Sequence, residues 1–91
     1  MKFELGYQVM TRRISDTISE NVQFAKDVVK AMTQYQQCDW GILCEEDKES
    51  NDVAVKEGDR ILAAYDTCQG KIWIITEWDR SATTILFPDE Y

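Results

Sequence analysis

The chain contains no histidine and only four glycines, and both scarcities exclude some chemistry. Without histidine it lacks the side chain most often used as a base near neutral pH, the usual serine and cysteine triads, and the commonest ligand of zinc and iron sites. The glycines are isolated from one another, which excludes the glycine-rich loops that hold phosphates in nucleotide-binding proteins. We therefore predict no enzymatic activity, with no catalytic residue, metal site or cofactor.

Long apolar runs and a regular cysteine pattern are also missing. No segment reaches the roughly 18 to 20 apolar residues that span a bilayer, and Met1–Gly6 lacks the apolar stretch of a signal peptide. Cys38, Cys44 and Cys68 match neither a secreted disulfide framework nor a CxxC metal site. We expect reduced, partly buried thiols, with a Cys38–Cys44 pairing as the alternative, in a cytoplasmic protein without membrane contact.

What the chain does contain is the composition of a small packed protein. Its 91 residues are 44% hydrophobic and 11% aromatic, which fits one core, so residues 1–91 are expected to form a single domain. Seventeen acids against ten bases give a formal charge of −7, which disfavours contact with nucleic acid phosphates. Direct nucleic acid binding is therefore not expected.

Residue spacing predicts a strand and two helices before residue 60. Alternating apolar residues over Phe3–Arg12 indicate a strand with one solvated face. A helical apolar period predicts a helix over Glu20–Gln36, with Ser19 among the capping residues before it. Acids at its start and Gly58 beyond its end predict a second helix, over Glu45–Lys56. The apolar stripe of the first helix is expected to contain Val22, Phe24, Ala25, Val28, Val29, Ala31, Met32 and Tyr35.

The last third changes to the pattern of strands. Arg60–Tyr65, Ile72–Trp78 and Thr83–Phe87 are rich in β-branched and aromatic residues and are separated by short polar connectors. Such connectors are too short for parallel crossovers, so the strands should form an antiparallel meander. The predicted fold class is α+β, with a three- to four-stranded antiparallel sheet built on this C-terminal meander and two helices packed against it.

The faces and edges of this sheet leave alternatives open. Trp73 and Ile75 lie on the opposite side of their strand from Ile72 and Ile74, so both faces are partly apolar. Either helices cover both faces, or the face with Trp73 and Ile75 contacts another chain. The N-terminal strand is expected to cover one outer edge, while segment 39–58 shields the other or leaves it to a homodimer.

Acidic residues are concentrated in one segment. Residues 39–59 contain eight acids and two bases. They can form a solvated helix face with acids favourably placed at the helix N-terminus, an acidic surface that meets a basic partner, or a divalent-metal site. The metal alternative lacks the spacing of a calcium-binding loop. The candidate partner-binding residues of the acidic surface are Asp39, Glu45, Glu46, Asp47, Glu49 and Asp52.

A second candidate site combines a strand junction with one more tryptophan. Tryptophan and arginine are over-represented among binding hot spots. The candidate partner- or ligand-binding residues are Trp40, Glu77, Trp78, Asp79 and Arg80. The structural alternative is a turn in which Asp79 caps backbone donors and Arg80 pairs with an acid, while Trp40 belongs to the core.

Four stretches of the chain carry a resemblance to known proteins: Lys71–Tyr91 (KIWIITEWDRSATTILFPDEY), Val9–Arg12, Cys38–Gly41 and Cys44–Lys48. Together they resemble a family of bacterial proteins of similar length found on phages, plasmids and integrated conjugative elements. Some members are labelled type I restriction or modification subunits, but such a methyltransferase subunit needs a cofactor loop and an NPPF-type motif that this sequence lacks. The resemblance implies a mobile-element setting, where small acidic proteins without enzymatic activity often inhibit host defence, as anti-CRISPR and anti-restriction proteins do.

Two functional hypotheses follow. The first is a non-enzymatic inhibitor of host defence that makes stoichiometric contact with a host or mobile-element protein complex carrying a basic surface. The alternative is a binder of a small-molecule or nucleotide signal, in which Trp40, Trp78 and Arg80 supply stacking and phosphate-pairing groups.

Overall fold

Three α-helices, four strands and a final 3₁₀ turn form an α+β fold in the computed structural model, which describes residues 2–91. In chain order the elements are β1 (Tyr7–Met10), α1 (Arg12–Glu20), α2 (Val22–Gln36), α3 (Glu45–Glu57), β2 (Ile61–Thr67), β3 (Gly70–Thr76), β4 (Ala82–Leu86) and the 3₁₀ turn (Pro88–Glu90). The strands lie in the order β1-β4-β3-β2. None of the helices described is long and apolar enough to cross a membrane.

The sheet is mixed, and this corrects the prediction of a purely antiparallel one. Strands β2, β3 and β4 form the predicted antiparallel meander. Strand β1 pairs with β4 in parallel, with Tyr7 beside Ala82 and Met10 beside Ile85. Short connectors determine the directions within the meander, but helices and two strands separate β1 from β4 along the chain, so β1 could pair in either direction. A third helix also joins the two that were predicted.

Gly6 shortens the N-terminal strand. Its φ of 64° lies in the left-handed region, and a Cβ at this position would collide with the backbone of the β3–β4 turn. The chain bends here, so the alternation predicted over residues 3–12 is broken. Phe3 and Leu5 before the bend are buried in the core, whereas Tyr7 and Val9 after it are exposed.

The residues before α2, which include Ser19 and were expected only to cap it, form a helix of their own, α1. Thr11 caps α1 by accepting from the Ile14 amide at 3.2 Å, and Asn21 caps α2 by accepting from the Phe24 amide at 2.9 Å. The backbone amide of Asn21 also donates to the Thr17 carbonyl at 3.0 Å, so one residue ends α1 and begins α2. Hydroxyls such as that of Thr17 donate to carbonyls four residues earlier, which makes these cap-forming residues compatible with a helix interior.

Helices α1 and α2 enclose the core against one face of the sheet. The buried residues of α2 are Phe24, Val28, Ala31 and Tyr35, a narrower stripe than predicted, because Val22 and Val29 are exposed. The sheet contributes Ile61, Ala63, Tyr65, Ile72, Ile74 and Ile85, and Phe87 joins them directly after β4.

A chain of buried hydroxyls crosses this core. Tyr35 Oη lies 2.6 Å from Thr76 Oγ1, which lies 2.8 Å from Thr83 Oγ1, and Thr83 donates to the Leu5 carbonyl at 2.7 Å. Each hydroxyl has one proton. Because Thr83 donates its proton to Leu5, Thr76 must donate to Thr83, and Tyr35 must donate to Thr76. Burial raises the pKa of Tyr35 well above its ordinary value, which keeps it a donor.

The outer edge of β2 is shielded by segment 39–58, which was one of the two predicted alternatives. The Ile42 amide donates to the Ala64 carbonyl at 2.9 Å, next to a bridge between Gly41 and Ala64. From α3, the Asn51 side chain donates to the Leu62 carbonyl at 2.9 Å and accepts from the Leu62 amide at 3.4 Å. The loop and one amide side chain therefore take the hydrogen bonds that a neighbouring strand would make.

Candidate binding surfaces

Helix α3 carries most of the acidic surface because it meets the sheet only along the β2 edge. Asn51 and Ala54 are its buried residues. Three acids in its first turn lie where the helix dipole favours negative charge, and Gly58, with φ 78°, ends the helix. The helix holds six carboxylates and two lysines, and an exposed pair between Lys48 and Glu45, at 3.8 Å, compensates little of this charge.

An acidic stripe runs along the outward face of α3. It consists of Glu46, Glu49, Ser50, Val53 and Asp59, which together line a shallow open depression. The first four follow the i, i+3, i+4, i+7 spacing of one helix face. Val53 is 55% exposed, so the stripe has an apolar centre within a carboxylate rim. The candidate binding residues chosen from the sequence omit Val53 and Asp59, although the helical spacing from Glu46 could have placed Val53 on the same face.

The six predicted acids fall into two groups. Glu45, Glu46, Asp47 and Glu49 are exposed on α3 and make no hydrogen bond or ion pair outside that helix within residues 2–91, whereas Asp52, also exposed on α3, and Asp39 bond to other parts of the chain. Asp39 instead accepts from the Gln34 side chain at 2.9 Å and the Gly41 amide at 3.2 Å, and these bonds lower its pKa. Asp52 accepts from the Trp40 indole N–H at 2.9 Å. These two carboxylates stabilise the turn that leads from α2 to α3.

Arg80 connects α3 to the β3–β4 turn. Its guanidinium donates to the carbonyls of Asp59 at 2.6 Å, Ala54 at 2.9 Å and Glu77 at 3.2 Å. The structural alternative in which Arg80 pairs with an acid is wrong, because its partners are backbone carbonyls. One of them, that of Ala54, lies in the last turn of α3, where the helix dipole favours a cation. With three carbonyls bound, the guanidinium stabilises the fold and is not free for a ligand.

The other residues of the β3–β4 turn differ in their exposure. Asp79 accepts from the Ser81 amide at 3.1 Å, and its bonds with Ser81 lower its pKa, as the structural alternative expects. Glu77 forms an ion pair with Arg60, with 3.6 Å between Glu77 Oε1 and Arg60 Nε. Trp78 is 67% exposed beyond the end of β3. It is the one aromatic side chain that this turn offers to a partner.

Trp40 belongs to the core and not to a binding surface. It is 2% exposed, and its ring lies 5.5 Å from Tyr35 and 6.0 Å from Phe3. The ligand-binding hypothesis needs Trp40, Trp78 and Arg80 in one pocket. Trp40 lies in the core, Trp78 is exposed and Arg80 is bound by three carbonyls, and three surface depressions of the described chain are lined by none of these residues.

The sheet face opposite α1 and α2 is partly open. Trp73 is half-buried there under Tyr91, whose ring centroid lies 5.6 Å away, and the Arg60 guanidinium lies 5.2 Å from the Tyr91 ring. Tyr7 and Val9 extend this face onto β1, where they are 82% and 46% exposed. Apolar surface therefore continues to the outer edge of the sheet.

The three cysteines are free thiols in the part of the chain described. Cys38 is half-buried, but Cys44 precedes α3 and Cys68 lies in the β2–β3 turn, so both are exposed and the prediction of partly buried thiols is wrong for them. The alternative Cys38–Cys44 disulfide is not formed. Residues 2–91 contain no group of three or more Cys, Asp or Glu side chains placed to hold a metal ion.

Comparisons of the chain with protein-family models, with curated proteins and with solved structures found no match.

Proposed function

We propose that this protein is a cytoplasmic, non-enzymatic binding protein of a mobile genetic element that inhibits a host defence complex by stoichiometric contact. The observation that carries the binding role is the acidic stripe of α3, an exposed row of carboxylates around Val53. The mobile-element setting and the anti-defence role are supported by the sequence resemblance alone.

The chemistry of the stripe favours a protein partner rich in lysine and arginine. Its carboxylates repel the phosphates of nucleic acids and anionic lipids, whereas they accelerate encounter with a basic surface. Val53, between Glu49 and Asp59, offers apolar area that a partner can bury once the charges have oriented it. Interfaces commonly combine such a buried apolar centre with a polar rim.

Affinity capture with matched charge variants tests this proposal. The tagged protein, the variant E46K/E49K and the control D16K/E20K are incubated with a host lysate, and retained proteins are identified by mass spectrometry. Both variants change the net charge equally, but the control replaces exposed acids of α1, on a different element. We expect the wild type and the control to retain the same basic protein and E46K/E49K to lose it.

Salt dependence supplies a second measurement on any complex captured. The Debye length falls from about 10 Å at 0.1 M salt to about 3 Å at 1 M, so association through the stripe should slow by about tenfold or more over this range. Equal capture by all three proteins, or none above background, would contradict the proposal. Capture that is independent of salt would assign the contact to the apolar sheet face instead.

A further inference from the structure

Strand β1 leaves one edge of the sheet unpaired. Its only neighbour in the described sheet is β4. The amides of Tyr7 and Thr11 donate inward, to Ser81 at 3.0 Å and Ile85 at 3.1 Å. Because backbone groups alternate along a strand, the amides and carbonyls of the intervening even-numbered residues point outward. All four residues of β1 are exposed.

Apart from its short length of four residues, strand β1 lacks the features that usually protect such an edge. Its sequence, Tyr-Gln-Val-Met, contains no charge and no proline, and its pairing with β4 contains no bulge. The opposite edge, at β2, is shielded by the Gly41–Ile42 backbone and by Asn51. The fold therefore closes one edge and leaves the other able to accept a strand.

We propose that β1 pairs antiparallel with β1 of a second copy of this chain, joining two four-stranded sheets into one. The charge distribution favours this occupant. The acidic helix α3 lies beside β2, and β2 is three strands from β1, or about 14 Å at the usual strand spacing. Two such helices would occupy the outer ends of the dimer, beyond the screening distance of about 8 Å. The charges nearest the edge include both signs, because Arg12 and Arg13 follow β1 while Asp89 contacts Arg13 and Glu90 contacts Thr11.

The register follows from the backbone directions and from the number of hydrogen bonds. The outward groups belong to Gln8 and Met10. Pairing Gln8 with Met10 of the second copy, and Met10 with its Gln8, makes four hydrogen bonds, whereas placing Gln8 opposite Gln8 makes two within β1. Val9 then faces the second Val9 across the two-fold axis as a non-hydrogen-bonded pair. No like charges face each other within β1, and exposed Tyr7 and Val9 side chains from both copies form one continuous apolar face.

Sedimentation of the wild type, V9K and V53K at increasing protein concentration tests the dimer. Val9 and Val53 are both exposed valines, but Val53 lies on α3. We expect the mass of the wild type and V53K to rise from 10.6 kDa towards twice that value, while V9K stays monomeric. Circular dichroism verifies that V9K is folded. A monomeric wild type, or equal association by all three proteins, would overturn the proposal.

A cross-linking measurement tests the register without adding charge. V9C and V53C are made with the exposed Cys44 and Cys68 replaced by serine, and are treated with oxidised glutathione. The glutathione accepts the two electrons and two protons that a pair of thiols loses when they form a disulfide. Non-hydrogen-bonded pairs have Cα atoms about 4.5 Å apart, within disulfide range, so V9C should yield a covalent dimer and V53C should not.

Equal yields of dimer from the two cysteine variants would overturn the register, and dimerisation that V9K does not weaken would overturn the β1 interface. The inference does not depend on the proposed function, because the charge-reversal variants alter α3 and the Val9 variants alter β1. A dimer without a basic partner and a basic partner without a dimer are distinct results.

Discussion

The direction of the buried hydroxyl chain makes a quantitative prediction about three substitutions. Thr83→Val preserves shape and strand propensity but removes the hydroxyl that accepts from Thr76 and donates to Leu5. Two buried groups then lose their partners, the Leu5 carbonyl and the Thr76 hydroxyl proton. Each buried unsatisfied group costs about 1–3 kcal/mol, so we expect Thr83→Val, which strands two, to lower the free energy of unfolding by about 2–6 kcal/mol.

The other two substitutions remove links nearer the start of the chain. Thr76→Val strands one donor, the Tyr35 hydroxyl, and should cost about 1–3 kcal/mol. Tyr35→Phe removes the first donor and strands none, because Thr76 still donates to Thr83; its expected cost is about 0.5–1.5 kcal/mol, that of one ordinary hydrogen bond. The expected order of destabilisation is therefore Thr83→Val, then Thr76→Val, then Tyr35→Phe.

Equilibrium unfolding in urea, followed by tryptophan fluorescence, measures these differences, provided that the m-values agree. Thr84→Val is the matched control, since Thr84 is the neighbouring residue of β4 on the opposite face and should change the free energy by less than about 0.5 kcal/mol. The double variant T76V/T83V strands one group fewer than the two single variants together, so its cost should be smaller than their sum. A larger loss for Tyr35→Phe than for Thr83→Val would refute the assigned direction.

Three further predictions concern contacts at the edges of the fold. Arg80→Lys should lower the free energy of unfolding by about 1.5–3 kcal/mol, because one ammonium cannot reach all three carbonyls, whereas Arg12→Lys on exposed α1 should change it little in the same urea titration. Asn51→Ala should uncover the β2 edge and raise light scattering on concentration; unchanged scattering would show that the loop alone protects this edge. The hydrogen bond from the Cys68 amide lowers the pKa of Asp27 below its ordinary value of 3.8. At acidic pH the unfolded state therefore binds more protons at Asp27 than the folded state does, so the free energy of unfolding falls as the pH drops below about 4 towards the lowered pKa. Asp27→Asn should flatten this acid-range loss of stability, and an unchanged pH profile would contradict the role of that contact.

Some features of the candidate surfaces could be predicted because they depend on local chemistry. Acids in the first turn of α3 and Gly58 after it mark the helix ends through the dipole and a left-handed cap. The exposure of Glu46 and Glu49 follows from the polar centre of the same helix. By contrast, the sequence around Trp40 and Arg80 fits a binding hot spot as well as a structural role. The contacts that decide between these two roles come from residues 12 to 26 positions away, Asp52 for Trp40 and Ala54 for Arg80.

The sequence by itself determined the meander, since short polar connectors between β-branched runs allow only antiparallel neighbours, and it determined α2 and α3 through apolar period and end signals. Only the tertiary structure decided the direction of β1, because helices and strands separate it from β4 along the chain. The bend at Gly6 likewise depends on close approach to the β3–β4 turn, which lies more than seventy residues away in the sequence. Pairings between distant residues depend on how whole elements pack, and no local spacing encodes them.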